Sequence, residues 1–215
     1  MKPPSKFVPI CAADFIGGGH FGAHTAALEI ENLLAQARQN DNASIAFLIN
    51  GRSGIGKSGL SRWILHDLLG IGPFSIVRKN GTEIDKDTVN QLAMALPYRD
   101  LYTDYKAIQF EECDAQSVAA QVRLLTFMDD FEESQGNILI ATSNCSLKSF
   151  EPRYTSRFNV FELQPPTPAE IEGLLRRWLK HPGAIRAIAN SCEGNVRAAL
   201  KDADRQFAAE NACVV

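Results

Sequence analysis

Short apolar runs alternate with longer stretches of helical periodicity through residues 1–164 of the chain. The apolar runs predict buried strands, because a strand covered on both faces carries consecutive apolar side chains. They lie at 44–50, 106–110, 137–144 and 158–163, and 74–81 is predicted as a strand followed by a turn. Apolar residues three or four positions apart predict helices over 23–39, 58–70, 85–96 and 117–132. Strands that alternate with helices predict an α/β fold, in which helices cover both faces of a parallel sheet.

The pattern changes at residues 164–168, which read QPPTP. The prolines indicate a hinge, and Thr167 is the predicted N-cap of the helix that follows. Beyond the hinge the chain predicts only helices, over 168–180, 182–192 and 195–210. The sequence therefore predicts two domains, an α/β domain at 1–164 and a small all-helical lid domain at 165–215.

The composition is that of an ordinary globular protein, with 45% hydrophobic and 22% charged residues. The net charge is −3 and the isoelectric point is about 5.8. These values argue against a protein that binds nucleic acid through its overall charge alone. Contact with DNA through one small basic patch, or within a complex, stays open.

Membrane association and a cysteine framework are not expected. No apolar stretch approaches the roughly 18 residues that a bilayer span needs, and the N-terminus lacks the pattern of a signal peptide. We therefore expect a cytoplasmic protein with no membrane partner. The five cysteines are scattered without a C-x-x-C pair, so neither a zinc site nor a disulfide framework is expected.

The first candidate site follows the strand at 44–50 and reads GRSGIGKS, at residues 51–58. It fits the phosphate-loop pattern G-x-x-x-x-G-K-[ST]. Glycines let backbone N–H groups converge on phosphate oxygens, lysine adds a positive charge, and the serine hydroxyl binds Mg²⁺. The helix that begins there favours anions at its N-terminus. The predicted nucleotide-binding residues of this loop are Gly51, Ser53, Gly54, Ile55, Gly56, Lys57 and Ser58, with Ser58 also a metal ligand.

The second candidate site is an acidic pair, Glu111 and Glu112, at the end of the strand at 106–110. Glu111 is the predicted partner of Mg²⁺, through its waters, and Glu112 is predicted to polarise the attacking water. The alternative is a pair of solvated acids that cap a helix. Asn144 ends the next predicted strand and is placed to orient that water, although taken alone it would be an ordinary turn residue.

Five segments resemble the AAA+ ATPases, and within them the clamp loaders of DNA replication. EECDAQSVAAQVRLLTFMDDFE resembles the clamp-loader run D-E-A-D-S-M-T-x-x-A-Q-x-x-L, with Glu111 in place of the family's Asp. TSRF at 155–158 resembles the Ser-Arg-Cys motif, and GNVRAAL at 194–200 resembles the sensor-2 helix. ADFIGG at 13–18 is similar to the segment that cradles adenine, and FSIVRKNG resembles the family's second strand, which ends in an asparagine. The zinc-binding cysteine cluster of the bacterial loader and the collar domain of loader subunits have no counterpart in this sequence.

The resemblance implies a fold and roles for further residues. It implies an AAA+ αβα sandwich with a helical lid, ATP and Mg²⁺ as ligands, and Ile16 and Gly17 at the adenine base. Arg157 becomes the arginine finger, and Arg197 becomes the lid's contact to the γ-phosphate. The alternatives are a surface salt bridge for Arg157, and for Arg197 an exposed pairing with an acid such as Asp202.

The position of Arg157 predicts an oligomer. It precedes the last strand, which we expect to lie far from Lys57 in the order of the sheet, so it would reach a neighbour's phosphates more easily than its own. Fingers of this kind accelerate phosphoryl transfer by about 10³–10⁵-fold. An ATP site completed in trans lies at an interface between subunits. Arg153 is a second candidate for the role.

Two classes of function fit these observations. The first is an ATP-hydrolysing motor of clamp-loader type that acts as an oligomer on DNA, with a sliding clamp or another DNA-bound protein as partner. A helper in recombination would share the same motifs. The second is a nucleotide-dependent switch or adaptor, which binds ATP and assembles with related AAA+ subunits but turns over slowly or not at all.

Overall fold

A computed structural model describes residues 3–19, 21–98 and 100–212. Five strands form one parallel sheet in the order β2-β3-β4-β1-β5. The strands are β1 Ile45–Gly51, β2 Ile76–Asn80, β3 Lys106–Glu111, β4 Asn137–Ser143 and β5 Asn159–Leu163. The helices are α1 Ala23–Gln39, α2 Lys57–Arg62, α3 Lys86–Ala95, α4 Val118–Glu133, α5 Pro152–Thr155, α6 Pro168–Leu175, α7 Pro182–Ser191 and α8 Val196–Ala212.

Helices cover both faces of the sheet, as the alternating pattern predicts. Successive residues of β1 point to opposite faces, so Phe47 and Leu48 belong to different hydrophobic clusters. The Phe47 cluster also holds buried side chains of α1 and α2, including Ile30, Leu34 and Leu60, and of the turn that follows α2, including Trp63. The Leu48 cluster holds buried side chains of α3, α4 and α5, including Val89, Leu92, Leu124, Phe127 and Tyr154. The result is the expected αβα sandwich.

The predicted elements are all present, and most bounds shift by only one or two residues. The helix predicted over 58–70 begins as α2 and continues as a π-helical turn, Trp63–Leu68. Gly70 follows it with φ 67°, which favours glycine and ends the helix. The helix predicted over 168–180 is shorter. After Leu175 the N–H groups of Arg177 and Trp178 bond to carbonyls three residues back, a tightening that is common at helix ends.

The three C-terminal helices pack around a cluster of their own, formed by Ile171, Leu175, Leu179, Ile185, Ala189, Cys192, Ala199 and Ala203. Thr167 caps α6 as predicted, and it does so in a reciprocal capping box with Glu170. The side chain of Ile16 packs against this cluster from the N-terminal segment. The division at residue 164 into two domains stays a prediction.

Among the described residues, no helix is long and apolar enough to cross a membrane. Four cysteines are free in that part of the chain, and Cys213 lies outside it. Burial raises the pKa of the Cys113 thiol far above its ordinary value, which is typical of an inert thiol inside the fold.

Candidate functional site

One cleft of about 640 Å³ collects the predicted residues from widely separated parts of the chain. It lies where β1, β3 and β4 end, and α8 closes its other side. Parallel strands present their carboxyl ends at one edge of a sheet, which is where α/β proteins bind ligands. The predicted residues that line it are Ile16, Ser53, Gly54, Ile55, Gly56, Lys57, Ser58, Glu111, Glu112, Asn144 and Arg197. Gly17 lines an adjoining smaller pocket that shares Ile16 with the cleft.

The glycines of the loop at 51–58 are required by its backbone. Gly54 and Gly56 have φ angles of 84° and 110°, a region that side chains disfavour. At Gly51 a Cβ atom would lie 2.6 Å from Ile55 Cδ1 and 2.6 Å from the Leu163 carbonyl oxygen. Gly51 therefore serves close packing between the loop and β5, in addition to any role toward a ligand.

Lys57 begins α2 and is 93% buried, since its relative exposure is 7%. Its Nζ donates hydrogen bonds to the Gly51 carbonyl at 2.6 Å, the Arg52 carbonyl at 2.9 Å and Asn144 Oδ1 at 2.8 Å. Burial lowers the Lys57 pKa, and the charge of Arg197 acts in the same direction, whereas Asp114 opposes them. The site thus holds a desolvated cation, which an anion in the cleft would stabilise.

Asn144 meets Lys57 because β4 lies between β3 and β1. Its side-chain oxygen accepts from Lys57, and its backbone N–H donates to Asp114 Oδ1 at 3.1 Å. Asp114 was not singled out by the sequence analysis, although it belongs to the same EECD run as the two glutamates. These contacts place the tip of β4 between the lysine and the acidic end of β3.

The acidic pair occupies the end of β3, and a residue of β2 contacts it. Glu112 has a left-handed backbone, with φ 50° and ψ 49°, a conformation that costs a non-glycine residue about 1 kcal/mol. Asn80, the last residue of β2, donates from Nδ2 to Glu112 Oε2 at 3.4 Å. Gly81 permits this approach, because a Cβ there would lie 2.3 Å from the Glu112 carbonyl oxygen. Asn80 was predicted only as the strand-ending asparagine of the resemblance, without a role in the site.

The C-terminal helices α6, α7 and α8, called the lid below, contact the loop at 51–58 directly. The N–H of Arg197 donates to the Gly54 carbonyl at 3.1 Å. Asn195 caps α8 by accepting from the Ala198 N–H at 3.0 Å, and its side chain lies against Gly54. Among the described residues the Arg197 guanidinium has no salt bridge, and Asp202 pairs with Arg205 instead, at 3.1 Å. The pairing considered as an alternative for Arg197 is therefore absent.

The end of the cleft at Ile16 is built from the N-terminal segment and the C-terminal helices. Phe7 and Pro9 line the cleft, and neither was predicted from the sequence. The Phe7 ring packs edge-on against Trp178, with centroids 5.3 Å apart, and the Arg177 guanidinium lies 5.3 Å from the Phe7 centroid. Arg177 also pairs with Asp14 at 2.8 Å. These residues can be identified only by their contacts with the C-terminal helices, and those contacts exist only in the folded chain.

Glu170 of α6 joins the N-terminal segment at Gly18 to Thr167, the N-cap of its own helix. Its carboxylate accepts the Gly18 N–H at 2.7 Å, and the Thr167 N–H and hydroxyl at 2.8 and 2.9 Å. Burial raises the Glu170 pKa, but these hydrogen bonds together outweigh it, so the pKa lies below its ordinary value. The contact is therefore a charge-assisted one between α6 and residues 16–18.

Arg157 lies outside the cleft, and the expected reason for this is wrong. β5 lies next to β1, with Asn159 opposite Phe47, so Arg157 is not far from Lys57 in sheet order. It is separated because it precedes β5 and the loop follows β1, at opposite ends of the two strands. The four steps from Asn159, opposite Phe47, to Leu163, opposite Gly51, alone span about 13 Å at about 3.3 Å per residue. Its guanidinium pairs with Asp129 at 2.6 Å and donates to the Arg153 carbonyl at 2.6 Å. The surface salt bridge considered as an alternative is thus present, and the finger role stays a prediction.

Known structures share this architecture. The Thermotoga maritima RuvB Holliday junction branch migration motor matches with a TM-score of 0.68 and 21% identity, over 90% of this chain and 62% of that chain. A point variant of RuvB matches with a TM-score of 0.70 and 20% identity, over 90% and 63% of the two chains. The chain has the AAA+ fold. A DNA polymerase III gamma subunit-related protein from Thermotoga maritima matches with a TM-score of 0.61 and 14% identity, over 82% of this chain and 56% of that chain.

No protein-family model matches this chain, and no curated protein matches it in sequence. The chain spans less than two thirds of the length of the RuvB structures that it resembles. At these identities the likeness establishes the fold, and the activity has to be inferred from the cleft.

Proposed function

We propose that this chain is an ATP-binding and ATP-hydrolysing AAA+ module that acts as an oligomer in a DNA transaction. The observation that carries the proposal is the convergence of Lys57, Ser58, Glu112, Asn144 and Arg197 on one cleft. These residue types bind phosphates, activate water and sense the γ-phosphate, and a chain without that chemistry has no need to assemble them.

Phosphate binding follows from the loop and its lysine. The N-terminus of α2 and the loop N–H groups favour an anion. The β- and γ-phosphate oxygens would replace the Gly51 and Arg52 carbonyls as hydrogen-bond acceptors of Lys57. Their negative charge would offset the free-energy cost of burying the lysine charge. The base would occupy the end of the cleft lined by Ile16, with Gly17 shaping the turn beside it.

A magnesium ion fits the residues present. Ser58 offers a hydroxyl and Glu111 a carboxylate in the same cleft. No group of three or more His, Cys, Asp or Glu suited to a metal ion occurs among the described residues. This suits Mg²⁺, which binds through one or two carboxylates plus substrate phosphates. When bound, the ion would neutralise charge on the phosphates.

Hydrolysis requires a water held between base and γ-phosphate. Glu112 is the proposed base, and Asn80, within hydrogen-bond reach of its carboxylate, holds its orientation. Asn144 orients the water from the neighbouring strand. Arg197 contacts the γ-phosphate from α8, so that loss of this phosphate releases the lid side chain and changes the lid angle.

The last catalytic group would come from a neighbouring subunit of the oligomer. Arg157 is half-buried at the strand end remote from its own loop, so we assign it to a neighbouring subunit's γ-phosphate. To act there it must leave Asp129 and the Arg153 carbonyl, and a surface ion pair stabilises by only about 0–1 kcal/mol. The partners are further copies of this chain or related AAA+ subunits. A role on DNA is supported by the RuvB motor and the polymerase III gamma-related protein, with a sliding clamp or another DNA-bound protein as the further partner.

The alternative function is a nucleotide-dependent switch with little or no turnover. Two observations favour it: Glu111 stands where clamp loaders have aspartate, and Arg157 is held by Asp129. The two functions differ in hydrolysis and not in binding.

Binding and turnover of ATP by the wild type, Lys57→Ala and Glu112→Gln separate these possibilities. We expect Lys57→Ala to abolish binding, and Glu112→Gln to bind ATP normally without hydrolysing it. Undiminished binding by Lys57→Ala would refute the phosphate-loop assignment. Turnover by Glu112→Gln would exclude Glu112 as the base, and binding without turnover by the assembled wild type would favour the switch.

A further inference from the structure

A line of polar side chains crosses from β2 to the metal side of the cleft. Arg78 of β2 and Gln109 of β3 are paired residues in the sheet register. Arg78 Nε donates to Gln109 Oε1 at 3.1 Å. Gln109 Nε2 in turn donates to Glu111 Oε1 at 3.2 Å. Gln109 lines the cleft together with Glu111.

The chemistry of the three groups fixes the direction of these bonds. A guanidinium only donates, and an ionised carboxylate only accepts. The amide of Gln109 therefore has one orientation that satisfies both neighbours, with its oxygen toward Arg78 and its NH₂ toward Glu111. The reversed amide would set N–H groups against Arg78 and an oxygen against the carboxylate.

Gln109 occupies a position that packing alone would give to an apolar residue. Its relative exposure is 6%, its β3 neighbours Ile108 and Phe110 are buried, and on β4 it faces Ile140. A buried amide is unfavourable unless its polar atoms are paired. Here both ends are paired, and one of the pairs ends on the carboxylate predicted to serve the metal.

We propose that Gln109, held by Arg78, is a positioning residue that aims the Glu111 carboxylate at the Mg²⁺ side of the cleft. The inference rests on the proposed function. Glu111 is one methylene longer than the aspartate that clamp loaders carry, so its carboxylate has an additional torsion to fix. The Gln109 hydrogen bond restricts that freedom, as partners behind metal ligands commonly do.

Binding of a fluorescent ATP analogue, in EDTA and in excess Mg²⁺, tests this role. The measured quantity is the ratio of the two affinities. In Gln109→Leu we expect affinity in EDTA to match the wild type within about twofold, while the ratio falls about tenfold, the lower range for partners behind metal ligands. Arg78→Ala, a change at an exposed position, is expected to lower the ratio in the same direction by a smaller factor, and it remains informative if Gln109→Leu does not fold.

Two comparisons separate positioning from a structural role. In a Glu111→Ala background, Gln109→Leu should leave the ratio unchanged, because the carboxylate through which it acts is gone. Gln121→Leu is the matched control: Gln121 is equally buried, on α4, and bonds to Glu151 and Gln116, so its ratio should equal that of the wild type.

Equal weakening with and without Mg²⁺ in Gln109→Leu, or the same fall of the ratio in the Glu111→Ala background, would overturn the inference and leave the proposed function intact. If the wild type fails to bind the analogue in both conditions, the proposed function fails, and the positioning role fails with it.

Discussion

Because the lid contacts the phosphate loop at Gly54, we expect substitution of this glycine to lower the free energy of unfolding. In Gly54→Ala the new Cβ would lie 2.1 Å from Asn195 Oδ1 and 2.5 Å from Asn195 Cγ. Asn195 cannot stay where it caps α8, and the Arg197 N–H bond to the Gly54 carbonyl is displaced with it. Gly56 provides the matched control, since its φ is also positive, at 110°, and a Cβ there meets nothing within 4 Å.

The magnitudes follow from these contacts. A left-handed backbone costs alanine about 1 kcal/mol relative to glycine, and this applies to both variants. Loss of an asparagine N-cap costs about 1 kcal/mol, and loss of a backbone hydrogen bond costs about 1 kcal/mol. We therefore expect the free energy of unfolding to fall by about 3 kcal/mol in Gly54→Ala and by about 1 kcal/mol in Gly56→Ala.

Urea unfolding of the two variants, with and without Asn195→Ala, measures the difference. In the Asn195→Ala background the cap is already lost and the clash is relieved, so Gly54→Ala should cost only the backbone strain of about 1 kcal/mol. Equal destabilisation by Gly54→Ala and Gly56→Ala would refute the claim that the lid packs against the loop at Gly54.

Three further predictions concern the subunit contact and the lid hinge. Arg157→Ala, inactive alone, should regain ATPase activity when mixed with Lys57→Ala, because each supplies the group that the other lacks; an assembled mixture without recovery would count against a finger in trans. Asp129→Ala should release Arg157 from its salt bridge and preserve or raise activity, whereas a loss comparable to Arg157→Ala would show that the pair itself is needed. Because the Glu170 pKa is lowered in the fold, its contribution to stability is present above its unfolded pKa of about 4.3 and is lost as the pH falls through the lower folded pKa. Glu170→Gln should flatten that part of the unfolding free energy against pH in denaturant titrations, and an unchanged slope would contradict the assignment.

The parts of the site that follow from local sequence were predictable. The loop at 51–58, the acids after β3 and Asn144 after β4 each end a recognisable apolar run. Parallel strands bring such ends to one edge whatever their order. The capping role of Thr167 was visible for the same reason, since it depends only on its own neighbours along the chain.

The parts that depend on strand order and side-chain direction were not predictable. Asn80 and Gln109 gain their contacts because β2 pairs with β3, and no local pattern states which strands are neighbours. The expected distance of Arg157 across the sheet was wrong for this reason, because β5 proved to be next to β1. Phe7 lines the cleft and packs against Trp178 of the C-terminal region. This contact joins two residues that are remote in sequence.

The central claim is that this chain hydrolyses ATP at sites completed between subunits. ATPase activity per milligram, measured over a wide range of protein concentration, tests it most directly. We predict that specific activity rises with concentration and then levels off as assembly completes, and that Arg157→Ala abolishes the rise. Activity that is high and independent of concentration would contradict the shared site, and ATP binding without turnover at any concentration would contradict hydrolysis by this chain alone.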